Sequence, residues 1–103
     1  VAEPPHIPGL EIHEDARQVV VRGQVVPLTA LEFDLLRLFL RHPRAVLSRS
    51  QISDALWGDD YYGSLRLVDS HVSHLRRKLQ AAGLRPCPLI TVRGLGYALR
   101  PER

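Results

Sequence analysis

Cysteine, lysine and long apolar runs are scarce in this chain of 103 residues. Cys87 is the only cysteine, which excludes an internal disulfide and is compatible with a reducing compartment. It lies between Pro86 and Pro88 with no histidine beside it, so nothing marks it as a nucleophile. Lys78 is the only lysine; every other cation is arginine, a bias that coding preference explains as readily as phosphate recognition. No apolar run approaches the ~18 residues of a membrane span, and no charged start leads into an apolar signal segment. The expectation is a cytoplasmic domain with no membrane partner. The chain opens at Val1 and runs into Pro4, Pro5 and Pro8, so residues 1–9 read as a linker remnant of a longer protein and residues 10–103 as one domain.

What is present is an uneven charge. Residues 61–103 carry eight Lys or Arg against two acids, whereas residues 1–60 carry six against nine. The positive excess therefore sits in one half of the chain, as expected when one side meets a polyanion. That half contains Arg66 to Leu79, where Val68, Val72, Leu75 and Leu79 recur at helical spacing and make one apolar stripe. Arg66, Ser70, Ser73, His74 and Arg77 project the opposite way, with Arg76 and Lys78 on the flanks. An amphipathic helix with a cationic, hydrogen-bonding outer face follows.

The rest of the chain frames that helix. Leu10 to His13 alternates, Gln18 to Arg22 is rich in valine, and Gly23 separates it from Gln24 to Val26, which predicts a small antiparallel sheet. His13 alternates outward and has no evident partner. Thr29 and Glu32, then Ser48 and Gln51, have the spacing of two capping boxes, each predicting a helix start. The first helix carries Leu31, Leu35, Leu38 and Phe39 on one face, widened by Leu36 and Leu40, and Pro43 stops it. The second presents Ile52, Leu56 and Trp57 to the core and ends at Gly58. Gly58 to Ser64 is rich in turn formers and predicts a loop. Gly83 closes the cationic helix, and Leu89 to Val92 and Gly96 to Leu99 flank Arg93-Gly94-Leu95 as a β-hairpin with an arginine at its tip.

A sheet, three helices and a terminal hairpin make an α+β winged helix-turn-helix. The residues resemble the DNA-binding effector domain of OmpR/PhoB-type response regulators over about residues 10–101. Four pieces carry the resemblance: Leu28-Thr29 with Glu32-Phe33 and Leu35-Leu36; Ser48-Arg49 with Leu56-Trp57-Gly58; the run from Arg66 through Val68-Asp69, His71-Val72 and Leu75-Arg76 to Lys78-Leu79; and Thr91-Val92-Arg93-Gly94 with Gly96-Tyr97. The resemblance implies duplex DNA on tandem half-sites as the main partner. It also implies an upstream receiver domain with a cognate sensor kinase, and contact with RNA polymerase. No cofactor is implied.

In such domains the third helix enters the major groove and the wing an adjacent minor groove. Carried onto this sequence, Arg49, Arg66, His71, Arg76 and Lys78 are expected at phosphates, which fix register without reading sequence. Leu67, Ser70, His74 and Arg77 are expected near base edges, and Arg93 in the minor groove, where a narrow A·T-rich groove concentrates negative potential. His74 and Leu67 depart from the Arg and Thr common at these positions; a neutral imidazole offers one donor, and Leu67 only an apolar contact such as a thymine methyl. Asp59, Asp60, Tyr61 and Tyr62 match the loop that touches polymerase.

Each position has a plainer alternative. His71 lies near the buried boundary and could pack and bond to backbone. Arg93 could be a solvated turn residue, Trp57 reads first as core, and Tyr61 and Tyr62 could be half-buried. Asp69, an acid on this surface, is explained by the helix dipole and by Arg66 at i−3. Enzymatic readings are poor: His71 and His74 could share a metal, but no third ligand is evident, and Gly94 and Gly96 lie between strands, where no helix opens to cradle a phosphate. The class outside DNA binding is a winged helix that docks a protein, and cations on the outer face of the third helix discriminate against it. A regulator without a receiver domain is the other alternative. The isolated domain is expected to be a monomer.

Overall fold

The computed structural model describes residues 7–58 and 65–100. Nine elements follow one another: β1 (Leu10–His13), β2 (Gln18–Val21), β3 (Gln24–Val26), α1 (Ala30–Arg41), β4 (Val46–Leu47), α2 (Arg49–Trp57), α3 (Arg66–Ala81), β5 (Leu89–Val92) and β6 (Gly96–Leu99). β1, β2 and β3 form an antiparallel meander. Val21 pairs with Gln24 across the two-residue loop Arg22-Gly23, and both loop residues have positive φ, which suits the right-handed twist of a tight hairpin. Arg22 is held in that conformation by its own side chain, whose Nε donates to the Gly83 carbonyl at 2.8 Å.

Both capping boxes are present. Thr29 and Glu32 exchange side-chain to backbone bonds of 3.1 and 3.0 Å at the start of α1, and Ser48 and Gln51 do the same at the start of α2. The apolar face of α1 is displaced from its expected position. Phe33, Leu35, Leu36, Phe39 and Leu40 are buried, whereas Leu31 and Leu38 lie at its margins. α1 packs against α3, α2 and β6, and the Arg17 guanidinium covers Phe33 from outside, 4.5 Å from the ring centroid. At the end of α3, the Gly83 and Leu84 amides donate back to the Gln80 and Leu79 carbonyls, a Schellman closure that needs the positive φ of Gly83.

Three further features lie beyond what the sequence suggested. Val46–Leu47 form a strand, because β6 pairs with it at Ala98 and Tyr97, giving a second sheet of order β4-β6-β5. Ile7, read as linker, is 4% exposed and packs in the core. His13 does have a neighbour: Glu11, on the same face of β1, lies 3.4 Å from its Nε2.

The core is continuous. Val68, Val72, Leu75 and Leu79 of α3 are all buried, together with Val19 and Val21 from the first sheet, Ile52 from α2, and Leu89 and Leu99 from the wing strands. Burying each such side chain stabilises the fold by roughly 1.5–3 kcal/mol, so the stripe fixes which face of α3 points out.

Candidate nucleic-acid interface

With its stripe anchored, α3 exposes Arg66, Leu67, Ser70, Ser73, His74 and Arg77, and leaves His71, Arg76 and Lys78 half-buried. Leu67 is 44% exposed, and Ser70 and His74, one turn apart, follow it along the same exposed face. His71 sits against Trp57 of α2, ring centroids 5.8 Å apart and planes tilted by 45°. Trp57 is itself partly buried against the core. Both aromatic rings thus pack at the edge of the cationic face.

Two links join α3 to the wing. Arg76 donates from Nη2 to the Thr91 hydroxyl of β5 at 3.0 Å. The Tyr97 hydroxyl of β6 donates to Oδ1 of Asp69 at 2.5 Å. The same Oδ1 accepts from Nε of Arg49, the first residue of α2, at 3.0 Å. Asp69 lies in the first turn of α3, as expected, but its oxygen is shared by partners from two other elements, which the i−3 argument did not foresee. Burial, then the Asp69 hydrogen bond and charge, push the Tyr97 phenol up, so it stays a donor throughout the neutral range.

The wing tip depends on one glycine. A Cβ on Gly96 would lie 2.1 Å from the Leu47 carbonyl oxygen, where β4 and β6 pair, and its φ of 147° is also unfavourable for other residues. Gly96 therefore allows β6 to press on β4, and the hairpin turns through Arg93, Gly94 and Leu95, all exposed. Between the wing and the start of α2 lies a cleft of about 250 Å³, lined in part by Ser48, Arg49, Ser50, Thr91, Gly94 and Tyr97. Its polar lining is hydroxyl and guanidinium donors.

Arg49 and Arg76 link α3 to α2 and to the wing, while Lys78 on the flank turns to α1. The Lys78 ammonium lies 2.7 Å from Oε1 of Glu32, whose side chain is only 5% exposed. Burial alone would raise the Glu32 carboxyl, but the Lys78 ammonium and the Thr29 amide and hydroxyl together hold it below its ordinary value. Lys78 thus has a buried carboxylate as its partner within the protein, a contact that its expected place at a phosphate did not include. Burial pushes the Cys87 thiol up, which suits a packing residue. Among the described residues no group of three or more His, Cys, Asp or Glu could hold a metal ion, and no helix is long and apolar enough to cross a membrane. Asp59, Asp60, Tyr61 and Tyr62 lie outside the described residues. The roles of Thr91, Tyr97 and the shared oxygen of Asp69 were missed in the sequence, where these residues stood out only as parts of the motifs that carry the resemblance.

Residues 23–99 match the family model described as "Transcriptional regulatory protein, C terminal". The chain belongs to this family. Among curated relatives, the alkaline phosphatase synthesis transcriptional regulatory protein SphR of Synechococcus elongatus is 41% identical over 91 residues, 88% of this chain and 35% of SphR. The sensory transduction protein RegX3 of Mycobacterium bovis is 46% identical over 81 residues, 79% of this chain and 36% of RegX3. The chain spans about a third of the length of these relatives. Among solved structures, the DNA-binding domain of Bacillus subtilis CssR superposes with a TM-score of 0.78 at 38% identity, covering 87% of this chain and 98% of that one. The Klebsiella pneumoniae RstA DNA-binding domain, solved in complex with the RstA box, superposes with a TM-score of 0.82 at 32% identity, covering 98% of this chain and 100% of that one. Family membership identifies the fold as the winged-helix effector domain of OmpR/PhoB-type response regulators.

Proposed function

We propose that this chain binds duplex DNA sequence-specifically and is the effector domain of a two-component regulator of transcription. The observation that carries the reading is the outward face of α3, lined by Arg66, Ser70, His74 and Arg77, joined to the wing that carries Arg93 and to Arg49 at the start of α2. Its likeness to RstA, solved with its DNA box, supports the same use of the face.

In this reading α3 lies in the major groove. Arg49, Arg66, His71 and Arg76 hold phosphates and set register, while Leu67, Ser70, His74 and Arg77 meet base edges. Arg93 enters the minor groove from the wing tip. In the intact protein, a cytoplasmic regulator, a receiver domain phosphorylated by its sensor kinase would pair two copies on tandem half-sites. The loop carrying Asp59, Asp60, Tyr61 and Tyr62 would meet RNA polymerase. Domain residues 10–103, extended back to include Ile7, form the binding unit.

Selection from a random-sequence duplex pool tests the reading. Repeated capture by the chain should enrich a short motif, and that motif should change when His74 or Arg77 is replaced. A pool that stays random after capture, or a motif insensitive to both replacements, would remove the assignment of α3 to the major groove.

A further inference from the structure

An acid on a surface that meets a polyanion normally opposes binding, since each carboxylate repels the phosphates it faces. Asp69 is such an acid, in the first turn of α3 beside Leu67 and Ser70. Its bonding is unusual for a surface carboxylate. One oxygen receives the Arg49 guanidinium from α2 and the Tyr97 hydroxyl from β6, so a single atom ties together the three elements that build the face. Arg49 gives only its Nε to this bond, and its side chain is still 54% exposed, which leaves the terminal amino groups for an outside acceptor. Arg49 and Tyr97 also both line the cleft between α2 and the wing. Asp69 therefore holds together two of the residues that line that cleft.

We propose that Asp69 is a positioning residue for DNA recognition: its carboxylate orients Arg49 towards a phosphate and fixes the wing against α3, so that helix, wing and α2 meet the duplex as one pre-shaped surface. The inference rests on the DNA-binding reading above. Pre-shaping matters because each side chain or hairpin that must be ordered on binding subtracts from affinity, and only the cognate duplex uses all of the contacts at once. The Arg49 pair also spends the negative charge of Asp69 inside the protein, which is how an acid is tolerated there.

Electrostatics and positioning predict opposite signs, which makes the test decisive. The probes are a duplex selected from a random pool by the unaltered chain and a mixed-sequence duplex of equal length. Asp69→Asn should lower affinity for the selected duplex by about tenfold, the worth of a charge-assisted hydrogen bond, while affinity for mixed sequence holds or rises. Tyr97→Phe, which leaves the net charge unchanged, should shrink the selected-to-mixed ratio by roughly three- to tenfold. In an Arg49→Ala background, Asp69→Asn should lose much of its effect, because its main dependent is already gone. Equal tightening on both duplexes in Asp69→Asn would show a plain repelling acid and overturn the proposal, as would an unchanged ratio in Tyr97→Phe. If Asp69→Asn fails to fold, the Tyr97→Phe ratio decides alone. An unaltered chain that selects no duplex would instead overturn the DNA-binding reading itself, and the proposal with it.

Discussion

Replacing Lys78 by Met separates its two possible roles by their opposite signatures. Lys78 reaches the Glu32 carboxylate at 2.7 Å, with side-chain exposures of 37% and 5%. Breaking a fully buried pair from one side costs about 3–5 kcal/mol, and the partial exposure of Lys78 screens this to about 2 kcal/mol. For a domain of this size that is a fall of roughly 10 °C in Tm at neutral pH. Because Glu32 is held below its ordinary value, its contribution is fully present above the unfolded carboxylate pKa, about 4.5, and is lost as pH falls through the lower folded value. The deficit of Lys78→Met should therefore shrink on acidification below about pH 4.5, where a protonated Glu32 no longer needs an ammonium. Thermal unfolding of both proteins at pH 7 and in mild acid measures it, and DNA titrations across salt should give the same slope for both. A variant with unchanged Tm and a salt slope shallower by about one would return Lys78 to the phosphate backbone and refute the ion-pair account.

Other outcomes follow from the same geometry. Gly96→Ala must displace the Leu47 carbonyl from 2.1 Å, so it should cost at least about 1–3 kcal/mol and weaken DNA binding through a shifted wing; an unaffected Tm and affinity would contradict the close approach. Arg76→Ala should weaken binding to specific and random duplexes alike, whereas His74→Ala should mainly narrow their difference, by roughly 1–3 kcal/mol if it meets a base; reversed profiles would exchange the two roles. Two copies should fill tandem half-sites about 10 to 10.5 base pairs apart on one side of the duplex, with the free chain monomeric; a tight dimer in equilibrium sedimentation, or a footprint indifferent to about five inserted base pairs, would count against this.

Local signals were legible in the sequence. The two capping boxes each span four residues and need no knowledge of the fold, and the stripe from Val68 to Leu79 is a periodicity along one helix. Those features sufficed to place α1, α2 and α3 and to say which face of α3 points out. Contacts made by folding were not legible. β4 is two residues long and is a strand only because β6 lies beside it. Asp69 meets partners 20 and 28 residues away, and Lys78 meets one 46 residues away, so helical spacing could offer only Arg66 to the first and an outward flank to the second. Glu32 shows the boundary clearly: its capping role was readable from Thr29, but the ammonium that shares its carboxylate was not. The candidate DNA face thus appeared in outline, and its internal wiring did not.

The central claim is that the face built by α3, Arg49 and the wing binds duplex DNA by displacing counterions from phosphates. Measuring affinity for one duplex across a tenfold range of salt tests it most directly. With three or four phosphate contacts and a slope of roughly −0.9 per contact, affinity should fall by about three orders of magnitude across that range. Affinity that stays level as salt rises would contradict the account.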